Sequence, residues 1–120
     1  MADAAIFVGW GQTARARERQ ALQLLEQVAG FCGRLQEEGR LDSFEIVLLE
    51  PHGGDLSGFV LLRGTRSELD AVRSEDEFVR LSARASLVVD NFGVVDAYVG
   101  EGLARRLEVY GEQAEEQLRA

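Results

Sequence analysis

Hydrophobic positions in this chain fall into two patterns, short nearly continuous runs and longer stretches with helical spacing. The short runs are bounded by glycine or polar residues, which is typical of β-strands. They are residues 4–10, 44–49, 58–62 and 92–99. The longer stretches repeat an apolar side chain every three or four positions, which predicts amphipathic helices. They are residues 14–38, 74–88 and 101–119.

Capping signals place the ends of the predicted helices. Gly39 follows the first helix and suits its C-terminal cap. Thr65 with Glu68 fits a capping box, in which the hydroxyl accepts from the amide three residues on while the glutamate reaches back. A second box of the same kind pairs Ser74 with Glu77. The two boxes predict a short helix followed directly by a longer one.

The order of elements predicts an α+β fold of the ferredoxin-like type, βαββαβ, with a four-stranded antiparallel sheet and helices on one face. Right-handed crossovers favour this topology. Residues 87–89 fit either the end of the second long helix or the beginning of a strand. The 120 residues are predicted to form one domain, 1–120, with a C-terminal helix over about 101–119.

The two central strands are apolar on both faces. Side chains alternate along a strand, so Ile46 and Val47 point to opposite faces. In the next strand, Phe59 and Leu61 oppose Val60. An antiparallel sheet with one face in water would carry polar residues there. The second face is therefore predicted to be covered, either by the terminal helix or by a second copy in a homodimer packed sheet to sheet, and we favour the homodimer.

The element order, together with strands that are apolar on both faces, resembles the dimeric α/β-barrel superfamily, in which two ferredoxin-like subunits pack their sheets together. Locally, residues 47–55, followed by Gly58 and Phe59 and by residues 61–64, are similar to a stretch in small uncharacterised bacterial YCII-like proteins. The superfamily includes muconolactone isomerase-like enzymes, cofactor-independent monooxygenases, haem-binding decolourising enzymes and proteins of no known activity. The resemblance implies a homodimer with a pocket in each subunit, and it does not imply one reaction.

Composition excludes several classes of function. The net charge of −8 argues against broad nucleic-acid binding, which requires basic residues to neutralise phosphates. No apolar run approaches the roughly 20 residues of a membrane helix, and the first residues lack the basic start of a signal peptide. A single cysteine and a single histidine exclude an internal disulfide and a conventional zinc site within one chain. We therefore predict a cytoplasmic protein with no membrane partner, no metal and no cofactor.

The polar segment at residues 50–55 holds the only histidine, His52. As a general base, His52 would need a carboxylate to set its tautomer, and Asp55 is near in sequence. YCII-related proteins are thought to use a His–Asp pair, so the resemblance implies the same two residue types. The alternative is a hairpin loop, in which Pro51, Gly53 and Gly54 shape the turn and His52 is a solvated loop residue.

Two aromatic residues and one thiol complete the candidates. Trp10 stands between glycines at the end of the first strand, where it can form the wall of a ligand site or pack in the core. Tyr98 on the last strand can line a pocket or a subunit interface. Cys32 lies on the apolar face of the first helix and is predicted to be a buried, inert thiol.

Three functions are consistent with these residues. The first is a homodimer without a known catalytic motif that binds a small molecule. The second is a cofactor-independent enzyme, an isomerase, lyase or monooxygenase, that uses His52 as its acid or base. The third is a protein-interaction module that uses the C-terminal helix. An apolar cavity lined by Trp10 with His52 facing inward would favour the enzyme, whereas His52 at an exposed loop tip would favour the other two.

Overall fold

The structure, a computed structural model, describes residues 3–119. Its elements are β1 (Ala4–Trp10), α1 (Glu18–Glu37), β2 (Ser43–Leu48), β3 (Gly58–Gly64), α2 (Arg66–Arg73), α3 (Asp76–Val88), β4 (Gly93–Tyr98) and α4 (Gly100–Arg119). The predicted order of strands and helices is confirmed.

All four strands join one antiparallel sheet in the order β2-β3-β1-β4. β1 lies beside β3 and β4, so Phe7 stands opposite Leu61 on one side and Val95 on the other. Helices α1, α2 and α3 pack on one face of the sheet. Their core is built from the alternate strand residues, with Ile6 and Val60 almost fully buried. The ferredoxin-like fold class is therefore confirmed.

The two predicted capping boxes have different outcomes. At α2 the box forms, because Thr65 Oγ1 accepts from the Glu68 amide at 3.1 Å and Glu68 Oε1 accepts from the Thr65 amide at 2.9 Å. The box at Ser74 is wrong. Ser74 continues the last turn of α2 with helical backbone angles, and its hydroxyl donates to the Asp70 carbonyl at 3.0 Å. The N-cap of α3 is Glu75, which makes no side-chain cap.

The loop between β1 and α1 delays the start of the first helix to Glu18. Three backbone hydrogen bonds hold this loop against the end of α3: Gly11 N–H to Asp90 O, Ala14 N–H to Val88 O, and Asp90 N–H to Gln12 O, at 2.6, 2.7 and 2.8 Å. Ala16 then adopts a φ of 66°, which is not helical. Residues 11–17 are therefore a loop, and the prediction of a helix from residue 14 is wrong there.

The end of α3 settles the ambiguous segment at residues 87–89. The helix continues to Val88, and Val89 forms an isolated antiparallel bridge with Thr13 of the β1–α1 loop. The apolar run at this point therefore belongs mainly to a helix, and its last residue ties that helix to the loop.

The face of the sheet opposite the helices is apolar and uncovered in the single chain. It carries Phe7, Phe59, Leu61 and Val95, and we call these four residues the open face. The Phe7 and Phe59 rings contact each other with centroids 5.2 Å apart, and Val95 is 55% exposed. Among the strands and helices, α4 packs mainly against β4, and it has no buried residue. The alternative in which the terminal helix covers this face within one chain is therefore not observed.

Candidate functional site

A cavity of about 400 Å³ lies between the sheet and helices α1 and α3. We call it the Trp10 cavity. Its sheet wall includes Val8, Trp10 and Val60, which point to the helix side, and its helix wall includes Leu25 and Phe78. Almost all of its lining side chains are apolar. A pocket of this size and character falls in the range of small-molecule sites, about 300–1,000 Å³.

Trp10 is placed by the close approach of β1 and β3. It stands opposite Gly58 in the register, and its ring lies over the Gly58 backbone. A Cβ atom at position 58 would lie 2.8 Å from the Trp10 ring, so only glycine leaves room for this arrangement. The structure thus places Trp10 in the cavity wall rather than on the open face.

Three polar side chains also line the Trp10 cavity: Thr13, Glu18 and Ser82. Thr13 lies in the β1–α1 loop, Glu18 begins α1, and Ser82 lies in α3. Within residues 3–119, none of the three side chains forms a hydrogen bond or an ion pair with another residue. A few polar groups on an otherwise apolar wall are what orients a ligand in a small-molecule site.

His52 lies in the exposed loop between β2 and β3 and is not part of the cavity lining. Its Nδ1 accepts from the Gly54 amide at 3.2 Å, which leaves Nε2 to donate to the Leu56 carbonyl at 2.8 Å. Both ring nitrogens are thus used within the turn itself. A Cβ atom at Gly54 would lie 2.6 Å from the His52 ring, so the turn closes tightly around it.

Asp55 is exposed in the same loop. In the described part of the chain, no hydrogen bond or ion pair joins His52 to Asp55. The two residues predicted as an acid–base pair are near each other in sequence, and the structure does not bring their functional groups together. Their catalytic roles stay a prediction.

Tyr98 faces helix α4 and not the Trp10 cavity. The Arg106 guanidinium lies 4.0 Å from the centroid of the Tyr98 ring and donates a hydrogen bond to its hydroxyl. Tyr98 instead lines a second cleft between β4, α2 and α4. The two aromatic residues predicted to bind a ligand therefore belong to two different depressions.

Cys32 lies in α1 at the wall of the Trp10 cavity, with 2% of its surface exposed. Burial disfavours the thiolate and raises the pKa of Cys32 from 9.0 to about 11. The thiolate is the reactive form of cysteine. The placement agrees with the predicted buried, inert thiol.

We expect this thiol to make stability fall in alkaline solution. Between pH 9 and about 11 the unfolded state loses the Cys32 proton while the native state keeps it, so the free energy of unfolding decreases as pH rises. The full effect is roughly 2–3 kcal/mol. Urea unfolding of the wild type and of Cys32→Ala across pH 8–11 measures it. Parallel pH profiles for the two proteins would contradict the expectation.

The sequence indicated Trp10 as a possible wall residue, but it did not identify the helix residues that form the rest of the cavity. Residues such as Leu25, Phe78 and Leu81 line the cavity, and their spacing fits ordinary core positions equally well. The hydrophobic pattern carries no signal that separates a wall residue from a packed one. The polar members gave a weak signal, because Ser82 interrupts the apolar face of α3 next to Leu81.

Metal-binding clusters and membrane-spanning helices are both absent from residues 3–119. No group of three or more histidine, cysteine or acidic side chains there is arranged to hold a metal ion. None of the helices in that range is both long enough and apolar enough to cross a membrane.

The chain is similar in structure to several solved proteins, whereas no protein-family model and no curated protein matches its sequence. A dimeric ferredoxin-like protein of unknown function from Jannaschia sp. CCS1 aligns with a TM-score of 0.63 at 15% identity, over 80% of this chain and 98% of that one. A dimeric protein of unknown function and ferredoxin-like fold from Bacteroides fragilis gives 0.58 at 9%, over 80% and 96%. SnoaB, a cofactor-independent oxygenase from Streptomyces nogalater, gives 0.54 at 13%, over 82% and 94%. These likenesses show that the chain has the ferredoxin-like fold.

Proposed function

We propose that this protein is a homodimer in which each subunit binds a small, largely apolar molecule in the Trp10 cavity. The observation that carries the proposal is the cavity itself, about 400 Å³ of space with aromatic and aliphatic walls. Apolar wall that stays in contact with water, as at the exposed Leu22 and Leu48, costs free energy unless something covers it. A bound apolar molecule would recover that cost.

The polar side chains of the cavity narrow the class of ligand. Glu18 is the one charged residue of the lining, and Thr13 lies near it in sequence. A carboxylate accepts hydrogen bonds and attracts cations. The ligand is therefore an apolar, preferably aromatic body with one donor group, a hydroxyl or an amine, directed toward the beginning of α1.

The open face supports the homodimer. Apolar patches that extend across several strands are rarely left exposed on a soluble monomer, and a second sheet can cover them. At the edge of this face Arg63 pairs with Glu45 at 2.8 Å, which supplies a polar rim of the kind found around interfaces. Two of the structural neighbours are themselves described as dimeric.

Trp10 is the only tryptophan in the chain, so its fluorescence reports on the cavity alone. We expect 1-aminoanthracene, an aromatic amine, to quench Trp10 emission in a saturable way with one probe per subunit. Anthracene-1-sulfonate, which has the same three-ring body but an anionic end near Glu18, is the matched control and is expected to bind at least tenfold more weakly. Quenching that rises linearly with the amine and never saturates would overturn the proposal.

A second candidate is a cofactor-independent enzyme of the isomerase, lyase or monooxygenase type. The structural likeness to SnoaB, a cofactor-independent oxygenase, is consistent with this candidate. His52, with Asp55, would supply the acid or base, which requires the imidazole to leave its two contacts in the turn. If His52 acts in this way, His52→Ala abolishes oxygen uptake with an electron-rich phenol while the melting temperature stays nearly constant. Unchanged uptake in the variant would remove His52 from the mechanism.

A third candidate is protein interaction through α4. Its apolar residues recur at helical spacing and are exposed in the single chain: Leu103, Leu107, Tyr110 and Leu118. We infer that a second copy of this chain covers part of this helix in the homodimer. We also propose that the protein is cytoplasmic and that it is related to YCII-like bacterial proteins. The second proposal rests on the local similarity of residues 47–55, 58–59 and 61–64.

A further inference from the structure

A second cleft, of about 550 Å³, opens between the edge strand β4 and helices α2 and α4. Three arginines and one tyrosine line it: Arg66, Arg105, Arg106 and Tyr98. We call it the arginine cleft. Asp3 is the one acidic residue of its lining. The lining of this cleft therefore carries more positive than negative charge, although the whole chain has a net charge of −8.

Arg66 is held in place by a carboxylate that it must share. Asp96 Oδ1 lies 3.0 Å from Arg66 Nη1 and 3.2 Å from Arg73 Nη1. Arg66 also lies 3.9 Å from Asp70, one turn further along α2. One oxygen cannot satisfy two guanidinium groups, each of which carries five donors. Asp96 and Asp70 thus orient the Arg66 side chain, and some of its N–H donors remain available to a ligand.

Arg106 is oriented by an aromatic ring and not by an acid. Its guanidinium lies 4.0 Å from the Tyr98 ring centroid and contacts the hydroxyl. Within residues 3–119, no carboxylate oxygen lies within 4.0 Å of the Arg105 or Arg106 side-chain nitrogens. Neither of these two arginines is therefore held in an ion pair by the described residues.

We infer that the arginine cleft binds a phosphate-type oxyanion, as part of a phosphorylated small molecule. Planar guanidinium groups bind phosphate oxygens through paired hydrogen bonds, and three of them around one cleft suit a group with several oxygens. The volume exceeds what a single phosphate needs, so the remainder accommodates the rest of the molecule.

The arginine cleft is separate from the Trp10 cavity and from the open face. The two share no lining residue. Tyr98 stands opposite Ala4 in the register, and Ala4 belongs to the core on the helix side of the sheet. The cleft therefore lies on the side of the sheet away from the open face.

Pyrophosphate is the probe that tests this inference. Isothermal titration of the full chain, with ionic strength held constant by sodium chloride, is expected to show one saturable site per subunit. Arg105→Gln is expected to raise the dissociation constant about tenfold, because it removes one charged hydrogen-bonding group. Tyr98→Phe keeps the ring beneath Arg106 and is expected to have a smaller effect.

Arg80→Gln is the matched control, because Arg80 is an exposed arginine on α3 outside the cleft lining. It removes the same charge and is expected to leave pyrophosphate affinity unchanged. Circular dichroism of Arg105→Gln confirms that α4 remains helical. An equal loss of pyrophosphate affinity in Arg105→Gln and Arg80→Gln would show that only overall charge matters and would overturn the inference. The absence of saturable heat with the wild type would also overturn it.

Discussion

Val95→Asp is expected to make the protein monomeric at concentrations where the wild type is a dimer. Val95 lies on β4 within the open face, opposite Phe7. With 55% of its surface exposed in the single chain, it contributes little to the folding of one subunit. In the proposed dimer the second sheet covers it, so an aspartate there would carry a charge into an apolar interface. We expect the dimer dissociation constant to rise about hundredfold or more.

The control for this substitution is Val79→Asp. Val79 is 57% exposed, almost the same fraction as Val95, and lies on α3, on the helix side of the sheet. It introduces the same charge outside the proposed interface, so we expect the dimer to persist. Sedimentation velocity from 1 to 100 μM (about the range used for weak dimers) separates the two variants. A wild type that sediments as a monomer throughout would refute sheet-to-sheet dimerisation.

The second large effect is expected at Ala85, a small residue in the wall of the Trp10 cavity. Ala85→Leu adds three carbon atoms that point from α3 into the cavity. In a tightly packed core, such a change forces strain and costs about 1–3 kcal/mol. Where a cavity exists, the added atoms fill it. We therefore expect the free energy of unfolding to change by less than about 1 kcal/mol while 1-aminoanthracene binding falls at least tenfold.

Ala83→Leu is the matched control, because Ala83 lies on the exposed side of the same helix. It adds the same atoms in a comparable helical context and is expected to leave both stability and probe binding near the wild-type values. Urea unfolding and Trp10 fluorescence measure the two quantities on each variant. A large loss of stability in Ala85→Leu alone would show that the wall is closely packed and that the cavity does not accept a ligand.

The alternation of apolar residues was enough to predict the fold. Ile46 and Val47 point to opposite faces of the sheet and are both apolar. This pair therefore indicated that both faces must be covered. Ser74 shows where local signals fail. Its sequence context fits a capping box, yet the backbone at that position continues α2, and its hydroxyl follows that backbone. A cap depends on backbone angles that neighbouring helices impose, and the residue types alone do not specify them.

The candidate site was predictable only in part. Trp10 was found because flanking glycines made it unusual, and the structure explains one nearby glycine, Gly58, by the approach of the indole ring. The direction of His52 was not predictable, because it depends on how residues 52–56 close into a turn. Arg105 and Arg106 gave no signal, since the surface that they share with Arg66 forms only when α4 returns to the sheet edge.

The β1–α1 loop has a consequence for how this protein can change over evolutionary time. Its attachment to the end of α3 uses main-chain groups, which every residue except proline supplies. Gly11 is fixed, because a Cβ atom there would lie 2.8 Å from the Asp55 carbonyl oxygen. Thr13 is not fixed in this way, and it also lines the Trp10 cavity. Under the proposed function, substitutions at Thr13 can therefore alter which ligands the cavity binds while the scaffold persists.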